Sequence, residues 1–227
     1  IPNVKLEYST DGGPTYPNVI TALVATTGPY SWAIPNASSS IVRVRVLNAA
    51  DLGTLDTSDA NFKIMAGFTI SAPNGGEVLV VGAGQSITWT TAGTVANVKL
   101  EYSTDGGVTY PVGNLISASA PNTGTFAWTA PNAISTTVRV RVSDATDTVD
   151  AFDTSDGNFK IRAGFTVNAP NGGEAWVVAA VQNITWTSTG TVANVKLEYS
   201  TDGGVTFPNI IAATTANSGT YAWTIPD

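Results

Sequence analysis

The sequence predicts an all-β chain of tandem antiparallel β-sandwiches, with about seven strands in each repeat. Two observations carry this prediction. One stretch, Asn-Val-Lys-Leu-Glu-Tyr-Ser-Thr-Asp-Gly-Gly, is spelled three times, at 3–13, 97–107 and 194–204. Within it apolar and polar residues alternate, which is the pattern of a half-buried strand, and the closing glycines are typical of a tight turn. No segment shows a sustained helical period.

The repeats divide the chain into three parts. A second duplicated stretch, Phe-Thr-x-x-Ala-Pro-Asn-Gly-Gly-Glu, begins at Phe68 and again at Phe165. Only residues 67–163 hold a whole repeat. Residues 1–66 begin at its third strand and are predicted to lack the first two, whereas residues 164–227 lack the last two. We interpret the segment as a window on a longer array; the alternative is that a neighbouring subunit donates the absent strands.

The strands of the whole repeat follow from alternating apolar residues between Gly, Pro and Asn turns. They are predicted at 68–72, 86–91, 97–103, 114–118, 124–129, 137–143 and 157–162. Seven short strands so spaced favour a sandwich of immunoglobulin or fibronectin type III form. Alternation also predicts that the recurring tryptophans face the core and do not form a sugar-binding platform: Trp32, Trp89, Trp128, Trp186 and Trp223.

The charged residues of two strands are predicted to face outward. Lys99 and Glu101 alternate with apolar residues on one strand, as Arg139 and Arg141 do on another. If these strands pair, Glu101 faces an arginine across the ladder. We interpret the stripe as a solvated charge ladder; the alternative is a charged glycan-binding stripe.

The composition restricts the possible functions. The chain has 227 residues, no Cys, no His and a formal charge of −7. Disulfides, Cys/His metal sites and Ser-His-Asp triads are therefore excluded, and nucleic acid is a poor partner. Only 12% of residues are charged, which suits an extracellular or cell-surface β-protein. We see neither a signal peptide nor an apolar run long enough to span a membrane, and we expect no cofactor.

Calcium is the one metal ion for which the sequence offers candidate ligands. Asp153 and Asp156 precede the last strand of the whole repeat, and Asp56 and Asp59 are their counterparts in the first part. Carboxylates are calcium ligands, but this spacing does not match the helix-loop-helix calcium signature. The favoured interpretation is a turn in which these side chains accept hydrogen bonds from nearby amides, with no metal site.

The order of motifs resembles a known extracellular repeat. Phe68 to Pro73, Ile87 to Trp89, Thr125 to Pro131 and Ser155 to Ile161 follow the order of the Ser/Thr-rich domain of fungal cell-wall glycosyl-phosphatidylinositol-anchored proteins and its prokaryotic surface relatives. The resemblance implies an immunoglobulin-like extracellular module and carries over no catalytic residues. The near-identity of the repeats is more typical of a prokaryotic array.

These observations predict a structural role. We expect a repeat segment of an extracellular fibre, stalk or surface-layer protein, without catalysis, that contacts neighbouring repeats or copies of itself. The alternative is an adhesin, or spacer and carbohydrate-binding modules of a larger secreted enzyme that contact cell-surface glycans.

Overall fold

The computed structural model describes residues 1–227 and consists almost entirely of β-strands. The strands of the first part are β1 (Asn3–Ser9), β2 (Asn18–Ala25), β3 (Ser39–Asn48), β4 (Leu55–Thr57) and β5 (Phe62–Ile64). The middle part contains β6 (Gly67–Ala72), β7 (Val78–Val80), β8 (Gly84–Ala92), β9 (Asn97–Ser103), β10 (Leu115–Pro121), β11 (Thr125–Thr129), β12 (Ser135–Asp144), β13 (Phe152–Thr154) and β14 (Phe159–Arg162). The last part contains β15 (Gly164–Ala169), β16 (Val181–Thr189), β17 (Asn194–Tyr199), β18 (Asn209–Ala216) and β19 (Thr220–Thr224).

The middle unit, formed by β6 to β14, is a sandwich of two sheets. One sheet has the order β11-β8-β6, and the other has the order β10-β9-β12-β14-β7, with β13 also paired to β12. All pairs are antiparallel except β7 with β14. The sheet of β6, β8 and β11 thus faces the sheet formed by the other strands, as in immunoglobulin-like and fibronectin type III sandwiches. The predicted fold class is therefore confirmed.

The predicted strands of this unit agree with the structure to within a few residues, with two omissions. The strand predicted at 97–103 has those bounds, and the one predicted at 157–162 begins at Phe159. The omissions are β7 and β13, of three residues each. Such short segments show no measurable alternation, and their pairing with β14 and β12 depends on the assembled sandwich.

The core of the middle unit lies between the inner faces of the two sheets. Val98 and Leu100 of β9 are fully buried, and so are Val140 and Val142 of β12. The Trp128 ring lies in this core, 5.7 Å from the Tyr102 ring centroid and 6.4 Å from that of Phe159. Trp89, Trp128 and Trp186 all have exposures below 9%, so their predicted orientation toward the core is confirmed. Trp32 and Trp223, in the flanking units, are only half-buried.

The Asp-Gly-Gly turns are held by a network of side-chain hydrogen bonds. The Ser103 hydroxyl donates to the Asp105 carboxylate at 2.5 Å, and the hydroxyl and amide of Thr109 donate to it at 2.5 and 3.0 Å. Gly107 has φ of +88°, a conformation that L-residues with side chains rarely adopt. Asp11 and Asp202 make the same bonds to serine and threonine in the other two copies.

The charge ladder of the middle unit is not solvated as the sequence suggested. Glu101 does face Arg141 across the ladder, as predicted, with 2.6 Å between Arg141 Nη2 and Glu101 Oε2. Glu101 is nevertheless only 4% exposed, and the Arg141 guanidinium that it pairs with stacks on the Tyr110 ring at 4.1 Å. Burial opposes ionisation of Glu101, but hydrogen bonds from Lys99 and Arg141 outweigh it and lower its pKa.

The flanking units contain parts of the same sandwich. In the first unit β2-β1-β3-β4 form one sheet, with β5 also paired to β3. In the third unit β15-β16-β19 form one sheet, and the β17-β18 hairpin forms a separate one. No helix of the chain has the length and apolar character needed to cross a bilayer.

Replacing Trp128 by alanine tests the core. We expect Trp128→Ala to lower the free energy of unfolding of the middle unit by about 3–5 kcal/mol, because it leaves a cavity beside Tyr102 and Phe159. Thr129→Ala, at the exposed neighbour on the same strand, serves as the control. Denaturant unfolding followed by tryptophan fluorescence and circular dichroism measures both. Unchanged stability of Trp128→Ala would contradict the burial of this ring.

Acid titration tests the turn network. Hydrogen bonds from Ser103 and Thr109 hold the pKa of Asp105 well below its usual range. Because the folded-state pKa is lowered, the stabilisation is complete above the unfolded-state value of about 4 and decreases as pH falls toward the folded-state value. Asp105→Asn should therefore lower the melting temperature at pH 7, and the difference from the wild type should narrow below about pH 4. A difference that is independent of pH would show that ionisation of Asp105 plays no part.

Candidate functional site at the unit junctions

The two junctions between units are short and alike. At the first, two residues separate β5 from β6, and one of them, Ala66, is buried. At the second, only Ala163 separates β14 from β15. The Gly164 amide then donates to the Thr189 hydroxyl at 3.1 Å, so the chain is fixed to the third unit at its first strand residue. Linkers of this length leave little freedom for one unit to turn relative to the next.

An asparagine–threonine pair bridges each junction; we call it the junction clasp, formed by Asn36 with Thr94 and by Asn132 with Thr191. In the first, Asn36 Nδ2 donates to Thr94 Oγ1 at 2.7 Å, and the Thr94 amide donates to Asn36 Oδ1 at 2.9 Å. In the second, the same two bonds measure 2.6 and 2.9 Å. Both ends of each amide are used, so the clasp fixes the asparagine's orientation as well as its position.

Glycine permits the close approach that the second clasp requires. Gly190 has φ of +85° and precedes Thr191. A Cβ at this position would lie 3.0 Å from Val81 Cγ2 and 3.4 Å from Asn132 Oδ1, both in the middle unit. Any other residue would therefore combine backbone strain with a clash across the junction.

The sequence analysis missed the clasp, although the signal for it is present in the chain. Pro-Asn-Ala occurs at 35–37 and 131–133, and Gly-Thr-Val-Ala occurs at 93–96 and 190–193. The middle unit thus presents one loop to the third unit and another to the first. A repeated loop sequence does not by itself reveal that its partner is the other repeated loop, because that pairing depends on how the units stack.

The first junction also contains an ion pair. Lys63 of β5 contacts Asp150 in the connection between β12 and β13. The hydrogen bond that Lys63 donates to the Asp150 carboxylate, followed by the negative charge of Asp150, raises the pKa of Lys63. Both side chains are substantially exposed, so the pair contributes little to the stability of the chain. We assign it a role in orienting the first unit relative to the middle unit.

Asp153 and Asp156, considered as calcium ligands, accept hydrogen bonds from β6 and the turn after it, so the prediction that they bond nearby backbone amides was wrong. Asp153 Oδ2 accepts the Ile70 amide of β6 at 2.7 Å. Asp156 Oδ2 accepts Asn74 Nδ2 at 2.8 Å, and its own amide donates to Asn74 Oδ1 at 2.7 Å. Their counterparts Asp56 and Asp59 line an open groove of the first unit. Carboxylates do not gather in groups of three or more anywhere in the chain.

Comparisons with known proteins yield little. No family model matches the chain. No curated protein matches it either. Among solved structures, fibronectin(III)-like modules of Clostridium thermocellum CbhA are 19% identical over 70% of this chain and 80% of that one, with a TM-score of 0.25. A TM-score this low does not establish a shared arrangement of the two chains, so the fold assignment rests on the strand order described above.

Calcium titration tests the interpretation of Asp153 and Asp156. A site occupied at a hundredfold excess over its dissociation constant would stabilise its unit by about 2.7 kcal/mol. We expect the melting temperature to be the same in millimolar calcium and in chelator, because these carboxylates accept protein hydrogen bonds. Asp153→Asn should have the same effect in both, since it removes the negative charge that would bind calcium and keeps an oxygen that can accept the Ile70 amide. A rise with calcium that Asp153→Asn abolishes would contradict this interpretation.

Proposed function

We propose that this chain is a structural repeat segment of an extracellular fibre, stalk or surface-layer protein, without catalysis of its own. Residues 67–163 are one whole repeat of the array, and residues 1–66 and 164–227 are parts of two others. The observation that carries the proposal is the junction clasp, because the same bonds between the same residue types recur at both junctions.

Recurrence of the clasp supports a repeating geometry. If each unit meets the next through the same two loops, the rotation and translation between successive units are also repeated, and the array extends in one direction. Each hydrogen bond contributes about 0.5–1.5 kcal/mol, which is modest, but two bonds to one amide restrict its direction. Together with the short linkers, the clasp favours a stiff rod over a flexible string of units.

The surface chemistry supports an extracellular setting. Few residues are charged, and uncharged polar residues, above all threonine, are frequent among the exposed residues of the strands. Side-chain hydrogen bonds hold the turns, and the chain has no cysteine, so its fold needs no disulfide. Such a unit keeps its structure irrespective of the redox state of its surroundings.

Removing both clasps tests the proposed stiffness. In Asn36→Ala/Asn132→Ala each unit should keep its melting temperature, because these side chains are exposed and lie outside the cores. The angle between successive units, measured on single particles by negative-stain electron microscopy, should be narrowly distributed in the wild type and broad in the variant. Asn168→Ala, an exposed asparagine on β15, is the matched control and should resemble the wild type.

Two results would contradict the proposal. A broad distribution of angles in the wild type would show that the units form a flexible string. A narrow distribution that survives loss of both clasps would show that the clasp does not set the geometry.

A further inference from the structure

The asparagine of the first junction clasp lies in a glycosylation sequence, whereas the asparagine of the second does not. Asn36-Ala-Ser38 fits the pattern Asn-x-Ser/Thr, the sequon that accepts N-linked glycans in secreted proteins. At the second junction the matching residues are Asn132-Ala-Ile134, and the isoleucine abolishes the sequon. Two junctions that share the same hydrogen bonds therefore differ in the modification that they can receive.

Asn36 lies where an enzyme can reach it. Its side chain is exposed, and it belongs to the loop that precedes β3 and not to a strand. The Ala37 amide donates to the Pro35 carbonyl at 2.9 Å, so Asn36 occupies the apex of a tight turn. Ser38 is exposed as well, so both residues that define the sequon are accessible.

The chain contains a second sequon in a less suitable place. Asn183-Ile-Thr185 lies within β16, where Asn183 pairs with Ala222 of β19 and Thr185 pairs with Ala169 of β15. An enzyme can bind this tripeptide only if the tripeptide leaves a sheet that has partners on both sides. Asn36 is therefore the better acceptor in the folded chain.

The hydrogen bonds of the first clasp define which amide hydrogen of Asn36 they use. Oδ1 accepts the Thr94 amide and Nδ2 donates to Thr94 Oγ1, so both atoms of the carboxamide face one residue. The donated hydrogen is consequently the one on the Oδ1 side of the carbon–nitrogen bond, opposite Cβ. An N-linked sugar converts the side chain to a secondary amide, which prefers the trans form. In that form the sugar carbon C1 takes the position of the donated hydrogen.

We propose that Asn36 is an N-glycosylation site and that its glycan opens the first junction clasp while the second stays closed. In this reaction Asn36 Nδ2 attacks the anomeric carbon of a lipid-linked oligosaccharide diphosphate. The bond from C1 to Nδ2 forms, the bond from C1 to the diphosphate oxygen breaks, the lipid diphosphate leaves, and Nδ2 loses one proton to solvent. An oligosaccharyltransferase catalyses the transfer, and access of the chain to this enzyme rests on the proposed extracellular function.

The glycan converts one of two similar junctions into a hinge. The first junction keeps its short linker and the Lys63–Asp150 ion pair, but an exposed ion pair contributes little to stability. The second junction keeps both hydrogen bonds between Asn132 and Thr191. Glycosylation of a single residue thus determines where along the rod bending occurs.

Production of the whole chain in two hosts tests the proposal. One is a eukaryotic secretory host whose transferase accepts the sequon, and the other is a bacterial cytoplasm without that enzyme. Every sample carries Asn183→Gln, so that Asn36 is the one sequon asparagine left. Intact mass and peptide mapping should show one oligosaccharide, on Asn36, in material from the secretory host only. Ser38→Ala keeps the asparagine and its clasp but should abolish the added mass.

Hydrogen exchange of two backbone amides then reports on both clasps in the same molecule. The Thr94 amide should exchange about twofold to tenfold faster when Asn36 carries the glycan, which corresponds to the loss of one hydrogen bond. The Thr191 amide should exchange at the same rate with and without the glycan. Ser38→Ala from the secretory host should match the unmodified chain at both amides.

Moving the sequon to the second junction provides the reciprocal test. Ile134→Thr places a sequon at 132–134, and Ile134 is 46% exposed, so the substitution spares the core. Combined with Ser38→Ala in the secretory host, this variant should carry its glycan on Asn132. Exchange should then accelerate at Thr191 and stay unchanged at Thr94. The same variant from the bacterial cytoplasm should keep both clasps.

The proposal fails if Asn36 remains unmodified in the secretory host. It also fails if the glycan is present and the Thr94 amide keeps its slow exchange, because the clasp then tolerates the sugar. Neither result contradicts the stiff rod, whose test requires only the unmodified chain. Conversely, a flexible unmodified chain would contradict the rod and leave the acceptor site on Asn36 intact.

Discussion

The need to cover the apolar face of each sheet is the constraint on which the rest of this structure depends. In the middle unit Val98, Leu100, Val140 and Val142 are excluded from water because the β6-β8-β11 sheet lies against them. Burying an aliphatic side chain of this size stabilises a unit by about 1.5–3 kcal/mol, so a sandwich with both sheets has a large advantage over either sheet alone. Val195 and Leu197 in the third unit, the counterparts of Val98 and Leu100, are only half-buried.

Polar interactions outside this core fix where the strands end and which charged side chains pair. The Asp-Gly-Gly turns fix where β9 and its counterparts β1 and β17 end. Ion pairs with Lys99 and Arg141 compensate the charge of Glu101, whose carboxylate is almost fully buried. A buried carboxylate without those partners would be strongly destabilising. The outward side of the sheet is therefore a second, smaller packed layer, and this differs from the open charge ladder that alternation alone suggests.

The same repeat sequence also supplies the contacts between successive units. The loops that carry Asn132 and Thr191 close their own sandwiches and also meet each other across the junction. A single repeat sequence thus encodes both the unit and its contact with the next unit. This explains why the loop sequences around Asn36 and Thr94 are repeated around Asn132 and Thr191. The repeats differ in length only in other loops of the chain.

The sequence by itself determined the all-β class, the bounds of β9, the core position of Trp89, Trp128 and Trp186, and the pairing of Glu101 with an arginine, because alternation and turn residues are local signals. Tertiary structure alone decided the parallel pairing of β7 with β14, the burial of Glu101 and the partners of Asp153 and Asp156. It also decided the junction clasp. Each of these joins segments that are distant along the chain, and their contact depends on the stacking of sheets and units, which no local pattern records.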